Sequence, residues 1–122
     1  MATFHYTKTH EYIREEGGEY FLGISTHAQA ELGDITYVEL PEEGAEFKGG
    51  ESCCTVESVK AVAEVYAPFD FKVAGVNSTL ENSPELINKD AEGAGWIIKL
   101  IPANAADVDA LMDAAAYAAM EK

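Results

Sequence analysis

Between Lys48 and Lys72 the sequence holds a single basic side chain, Lys60, set in Glu57-Ser58-Val59-Lys60-Ala61. Small and β-branched residues lead in through Ser52, Cys53, Cys54, Thr55 and Val56, and a second apolar run leaves through Val62, Ala63, Val65, Tyr66 and Ala67. Two strand-forming runs with so short a link pair as a hairpin, which places the lysine at the tip with its ammonium in water. In its neutral form such an amine is a nucleophile toward activated acyl groups, and once acylated it loses its charge. The ordinary alternative is a solvated charge at a turn, the commonest fate of a lysine. Glu51, Glu57, Glu64 and Asp70 make the surroundings acidic.

Other residues that could do chemistry form no recognisable pattern. Cys53 and Cys54 are the only cysteines; neighbours in a strand point to opposite faces, so a bridge between them is geometrically poor and a disulfide scaffold is excluded. His5, His10 and His27 are scattered, and no second pair of ligands stands at metal spacing, so no metal centre is expected. No Ser or Cys lies near a His and an orienting carboxylate at a familiar spacing, which disfavours a nucleophilic enzyme.

A chain of 122 residues with 48% hydrophobic residues reads as one domain with a modest core. Its formal charge of −14 repels phosphate backbones and anionic membrane surfaces, and favours basic patches on protein partners. Met1 to Tyr6 contain neither a basic leader nor an apolar run, and no segment approaches the roughly 18 apolar residues of a membrane span. The expectation is a chain that works in the cytoplasm where it is made, although a mature organellar form would read the same.

The elements that must position Lys60 follow in order. Glu11 to Arg14 and Tyr20 to Ile24 read as strands around Gly17-Gly18. Thr26-His27-Ala28-Gln29 has the form of a capping box opening a short helix that Gly33 ends. Ile35 to Leu40 alternates as a strand stopped by Pro41, and a short strand carrying Phe47 lies between two turns. After the Lys60 hairpin come a strand over Phe71, Val73 and Val76, then a helical turn opened by Ser83-Pro84, then a closing strand from Trp96 to Leu100. Asn104 can cap a C-terminal helix over about 105–119 whose apolar face is Val108, Leu111, Met112 and Ala115. The predicted fold is mainly β, a flattened barrel-sandwich hybrid of about residues 6–101 with short helices and a C-terminal α-helix outside.

Gly33-Asp-Ile-x-Tyr-Val-Glu-Leu-Pro41, then Glu57-Ser-Val-Lys-Ala, then Tyr66-Ala-Pro and Gly95-Trp-Ile-Ile-Lys resemble the H protein of the glycine cleavage system. The resemblance runs from about Tyr6 to Tyr117 and keeps family order and spacing. It implies a non-catalytic carrier, lipoyl/biotinyl-like in fold and expected to be a monomer, whose Lys60 is amidated by lipoic acid. It further implies that Glu57 and Ser58 belong to the motif read by lipoyl- or octanoyl-attaching enzymes. The arm would accept an aminomethyl group from glycine decarboxylase, deliver it to aminomethyltransferase and be reoxidised by dihydrolipoamide dehydrogenase. Thr9, Glu11 and Glu64 match positions of the family's cleft for the loaded arm.

The chain departs from the family where Asp70-Phe71 stand in place of the usual Ser-Gly, and Tyr12 replaces the more usual Trp. Phe at positive φ is strongly disfavoured, so Asp70 is expected to take that conformation or the hairpin to differ. Phe69 and Phe71 would then form an exposed apolar spot beside the lysine.

Three other readings compete. An H-like protein that relays lipoyl groups to 2-oxoacid dehydrogenases would share every motif. Biotin acceptors flank the lysine with methionines, whereas Val59 and Ala61 flank Lys60; dehydrogenase lipoyl domains are shorter segments without the flanking elements. The remaining reading is an unmodified β-sandwich acting as a binding module.

Overall fold

In the computed structural model, which describes residues 3–121, the site hairpin belongs to the smaller of two antiparallel sheets. Strands β4 (Ile35–Glu39), β6 (Ser52–Ser58) and β7 (Val62–Tyr66) form it in the order β4-β6-β7. The larger sheet has the order β1-β2-β3-β9-β8-β5, from β1 (Thr3–Tyr6), β2 (Glu11–Glu16), β3 (Glu19–Ile24), β5 (Glu46–Phe47), β8 (Phe71–Val76) and β9 (Ile98–Pro102). Ile13, Leu22, Val73 and Leu100 from the large sheet join Val38, Val56 and Val65 from the small one in a single buried cluster. Burying each of these side chains contributes about 2 kcal/mol.

Local chemistry accounts for most boundaries. Gly17 and Gly18 turn β2 into β3 with φ of 60° and 81°, the left-handed pair that a tight hairpin requires. Helix α1 (Thr26–Leu32) is capped one residue earlier than the capping-box spacing predicts: Ser25 Oγ accepts the Ala28 N–H at 3.1 Å. A bulge between Ile35 and Tyr37 puts Ile35 and Val38 on the buried side of β4, where strict alternation would separate them. The polar stretch after β8 forms helix α2 (Thr79–Asn82), which buries Leu80, and α3 (Leu86–Asp90) follows the Ser83-Pro84 turn.

Two expectations are corrected. The stretch 105–119 is not one helix but two, α4 (Ala106–Asp109) and α5 (Ala114–Glu121). Between them Met112 exchanges backbone hydrogen bonds with Tyr6, at 2.7 and 3.0 Å, and an amide spent on β1 cannot continue a helix. Asp113 then accepts the Ala116 N–H at 2.8 Å and starts α5, whose Tyr117 stacks on Tyr6 with ring centroids 4.4 Å apart. Val108 is buried as predicted, but Ala115 is exposed.

The second correction concerns Asp70-Phe71. Phe69 and Phe71 are 5% and 2% exposed and meet edge-on inside the core, so they form no surface patch. Among the described residues His10 is the only non-glycine with positive φ, so Asp70 takes no left-handed conformation. Instead Asp70 Oδ1 accepts the Gly49 N–H at 2.8 Å and its carbonyl accepts Ala103 N–H at 2.9 Å, which closes the turn by side-chain and cross-strand bonds.

Candidate functional site

Lys60 stands at the tip of the β6–β7 hairpin, beyond the last cross-strand pair, Glu57 with Val62. The Ser58 N–H donates to the Ala61 carbonyl at 2.8 Å and closes the turn. Ser58 Oγ accepts the N–H groups of Lys60 at 3.3 Å and Ala61 at 3.1 Å, so one hydroxyl satisfies both otherwise orphaned amides. The Val59 N–H reaches across to the Asp34 carbonyl at 3.0 Å and anchors the tip to the segment leaving α1. Beneath it Gly33, with φ of 78°, lies against the lysine stem: a Cβ there would make an ordinary van der Waals contact, 3.6 Å from Lys60 Cε, so only the backbone conformation calls for glycine.

The backbone is braced and the side chain is not. Lys60 is exposed and makes no ion pair among the described residues. Val59 and Val62 beside it are 69% and 66% exposed. Cross-strand pairing puts Glu57, Val62, Glu64 and Tyr66 on the outward face of the hairpin, an apolar and acidic strip running from the tip toward its base.

Glu11 lies at that base and is not a surface carboxylate: only 2% of it is exposed. One oxygen accepts the hydroxyls of Thr7 and Thr9, and the other accepts the Tyr66 N–H at 3.1 Å. Three donors satisfy most of a carboxylate's acceptor capacity and offset its burial. The result is a clamp between the 7–10 loop and β7. A cleft of about 410 Å³ opens there, lined by Thr9, Glu11, Gly50, Tyr66, Leu111 and Met112.

Of the predicted cleft residues, Thr9 and Glu11 come together, while Glu64 stands apart. Its exposed side chain borders a separate depression with Thr55 and Glu39. Val62 to Tyr66 spans four strand steps, roughly 13 Å at about 3.3 Å each. A lipoyl-lysine arm of ordinary bond lengths reaches on the order of 14 Å from the backbone. Measured from Lys60, which stands two residues beyond Val62, an arm of that reach laid back along β7 would extend about as far as Glu64.

Cys53 and Cys54 are both buried and free. A bulge between Ser52 and Cys54 lets these neighbours share the interior, against the alternation expected of adjacent strand residues. Cys53 Sγ donates to the Val65 carbonyl at 3.3 Å. The hydrogen bond between the Cys53 and Cys54 thiols, with burial, pushes the Cys54 thiol well above its ordinary range.

Sequence reasoning missed Asp34 and Gly33 as supports of the lysine; only their place in the Gly33–Pro41 motif pointed to them. It also missed that His10 and His27, seventeen positions apart, meet with ring centroids 4.6 Å apart.

A face-to-face pair of β-sheets that projects one unpaired lysine from a braced hairpin, with short helices outside, is the architecture of a lipoyl-type carrier. The sequence matches the family model described as "Glycine cleavage H-protein" over residues 4–122. It is 49% identical over 120 residues to the glycine cleavage system H protein of Shewanella woodyi, covering 98% of this chain and 93% of that one. It is 48% identical over 120 residues to that of Shewanella halifaxensis, with the same coverage. The crystal structure of a glycine cleavage system H protein from Mycobacterium marinum superposes with a TM-score of 0.87 at 34% identity, covering 98% of this chain and 96% of the other. The chain belongs to the glycine cleavage H-protein family.

Proposed function

We propose that Lys60 carries lipoic acid as an amide and that the chain is the mobile carrier of the glycine cleavage system. It takes an aminomethyl group from glycine decarboxylase to aminomethyltransferase and is reoxidised by dihydrolipoamide dehydrogenase. The observation that supports this most is the exposed, unpaired Lys60 on a tip whose backbone amides are all held by Ser58, Asp34 and the hairpin itself. A rigid tip and a free amine suit acylation by an attaching enzyme. The neutral Nζ attacks the activated acyl carbon, the bond from that carbon to its donor breaks with the electron pair going to the donor, Nζ gives up one proton to water, and the new amide has no charge.

Lipoate, when bound, supplies a dithiolane whose disulfide opens to accept a carbon group and closes again on oxidation. This chain supplies position. Val59 and Val62 offer apolar contact beside the attachment point, and Glu57 marks the lysine for the attaching enzyme. Glu64 lies beside the route along β7, where an exposed acidic side chain favours a cationic load. Glu11 holds Thr9 in place, so the cleft keeps its shape with or without the arm. An acidic outer face fits basic docking surfaces on the partner enzymes. The bacterial relatives point to the cytoplasm as the place of work; no helix among the described residues is long and apolar enough to cross a membrane.

The experiment is a two-component assay. Lipoylated protein is mixed with glycine decarboxylase and labelled bicarbonate, and label entering the glycine carboxyl group is counted. Exchange that requires both the chain and Lys60 is the expected result. Lipoylated protein that supports no exchange would contradict the glycine-cleavage role and favour a relay of lipoyl groups to 2-oxoacid dehydrogenases.

A further inference from the structure

Where the loop before β2 meets α1, three potential ligands converge that the carrier function does not use. His27 and Glu31 lie one turn apart on α1, with His27 Nε2 3.2 Å from Glu31 Oε1. His10, from the loop before β2, brings its ring to 4.6 Å from that of His27. One donor atom from each of the three lies within 4.8 Å of the other two. We propose that His10, His27 and Glu31 form a binding site for a divalent transition ion of the zinc class.

Donor type and spacing both support the assignment. Two imidazoles and one carboxylate suit zinc, copper, nickel or cobalt, whereas magnesium and calcium take oxygen ligands. Bonds of about 2.0–2.1 Å in a tetrahedron put donor atoms roughly 3.3 Å apart, and the His27–Glu31 separation already matches this. His27 and Glu31, whose side chains are 34% and 66% exposed, close on the fixed His10 ring by side-chain rotation, and water takes the fourth position on the open side of Glu31.

The surroundings of His10 are built rather than incidental. His10 is held at φ 71°, with its N–H on the Thr7 carbonyl at 3.2 Å and its carbonyl on the Ser25 N–H at 2.9 Å. A left-handed non-glycine residue costs on the order of 1 kcal/mol and persists only where its surroundings impose it. Its Nδ1 lies 2.6 Å from the Tyr117 hydroxyl, which in turn lies 2.7 Å from the fully buried Ser25 Oγ. With Nδ1 occupied, Nε2 is the ring nitrogen left for an ion, the arrangement that second partners impose on metal-bound histidines. Tyr117 is thus a positioning residue. A bound ion cross-links the 7–10 loop to α1.

The test uses full-length protein stripped with a chelator and titrated with Zn(II) in a calorimeter, with Co(II) as an absorbing substitute. One saturable site per chain is expected, with cobalt d–d bands of tetrahedral strength. His27→Gln and His10→Gly each lower the affinity about tenfold or more, and Tyr117→Phe lowers it with all three ligands intact. Glycine suits the backbone at position 10, and His27 is on a surface helix; should one variant fail to fold, the other still reads the loss of a ligand. Both substitutions leave every carboxylate in place, so diffuse binding to an acidic chain survives them. Absence of a saturable site in the unaltered protein, or a site that persists in His27→Gln, overturns the proposal. Metal occupancy is read on the unlipoylated chain, where no lipoyl sulfur competes for the ion, so it stands or fails apart from the carrier role of Lys60.

Discussion

Ser58 holds Lys60 by its backbone, with Oγ accepting the Lys60 N–H at 3.3 Å while also taking Ala61 N–H at 3.1 Å. One small side chain therefore fixes the hairpin tip and leaves the amine free. Ser58→Ala removes both bonds and exposes the two amides to water, where solvent replaces them. The expected stability loss is only about 0.5–1 kcal/mol. The larger effect falls on modification, because a frayed tip is a poorer substrate: the rate of lipoyl attachment drops severalfold. Denaturant melts and a timed attachment assay on the same sample separate the two effects.

Gly33→Ala attacks the same tip from beneath. Gly33 sits at φ 78° and ψ −150°, a region essentially confined to glycine. The substitution costs about 1–3 kcal/mol through the backbone alone. An urea melt of Gly33→Ala that overlays the parent would show that the turn leaving α1 relaxes at no cost.

Glu11→Gln tests the cleft. A glutamine amide presents a donor where the carboxylate accepted from Thr7, Thr9 and Tyr66, so at least one buried donor loses its partner. Stability falls by about 1–3 kcal/mol. If the cleft shelters the loaded arm, aminomethyl-loaded Glu11→Gln releases formaldehyde and ammonia faster than the parent. An unchanged release rate with the expected stability loss would leave Glu11 as a structural clamp only.

Alkaline pH provides a further check. Tyr12 is fully buried and donates to the Ala91 carbonyl at 2.7 Å, and burial holds its phenol above the ordinary tyrosine range. Cys54 is raised too, by its bond with Cys53 and by burial. A group whose folded pKa is raised keeps its proton in the fold and loses it on unfolding, so its contribution is intact below the unfolded pKa. That contribution declines as pH climbs from the unfolded toward the folded value. Stability should fall above about pH 8.5–9 as the Cys54 thiol ionises in the unfolded chain, and more steeply above about pH 10 as Tyr12 follows. Each group adds a slope of about 1.4 kcal/mol per pH unit within its window. Tyr12→Phe removes the upper part of the decline at the cost of an unpaired Ala91 carbonyl. A stability profile that is flat to pH 11 would contradict the burial of both groups.

Local signals in the sequence revealed what local chemistry controls. The Gly17-Gly18 turn, the Lys60 hairpin and the Phe47 strand are where their residue patterns put them. Failures came where tertiary bonds prevailed. Helix 105–119 is broken because Met112 pairs with Tyr6 across more than a hundred residues. Strand β1 was missed because its partner, β2, supplies the reason for it to be extended. Phe69 and Phe71 were read as exposed because the family's glycine seemed to require a left-handed turn, which Asp70 and Gly49 make unnecessary by a side-chain bond. For the candidate site, the exposed Lys60 tip and the Ser58 that braces it lie in one short motif. The enclosure of Glu11 was not legible, because its partners come from a loop and from a strand fifty-five positions away.

The most direct test is the mass of the peptide carrying Lys60 after the chain is produced alongside a lipoyl-attaching enzyme and lipoate. The prediction is one lipoyl amide per chain, located on Lys60, and none on any lysine of the Lys60→Arg variant. An unmodified Lys60, or an adduct that settles on Lys48 or Lys72 instead, would contradict the account of this hairpin as a carrier's attachment point.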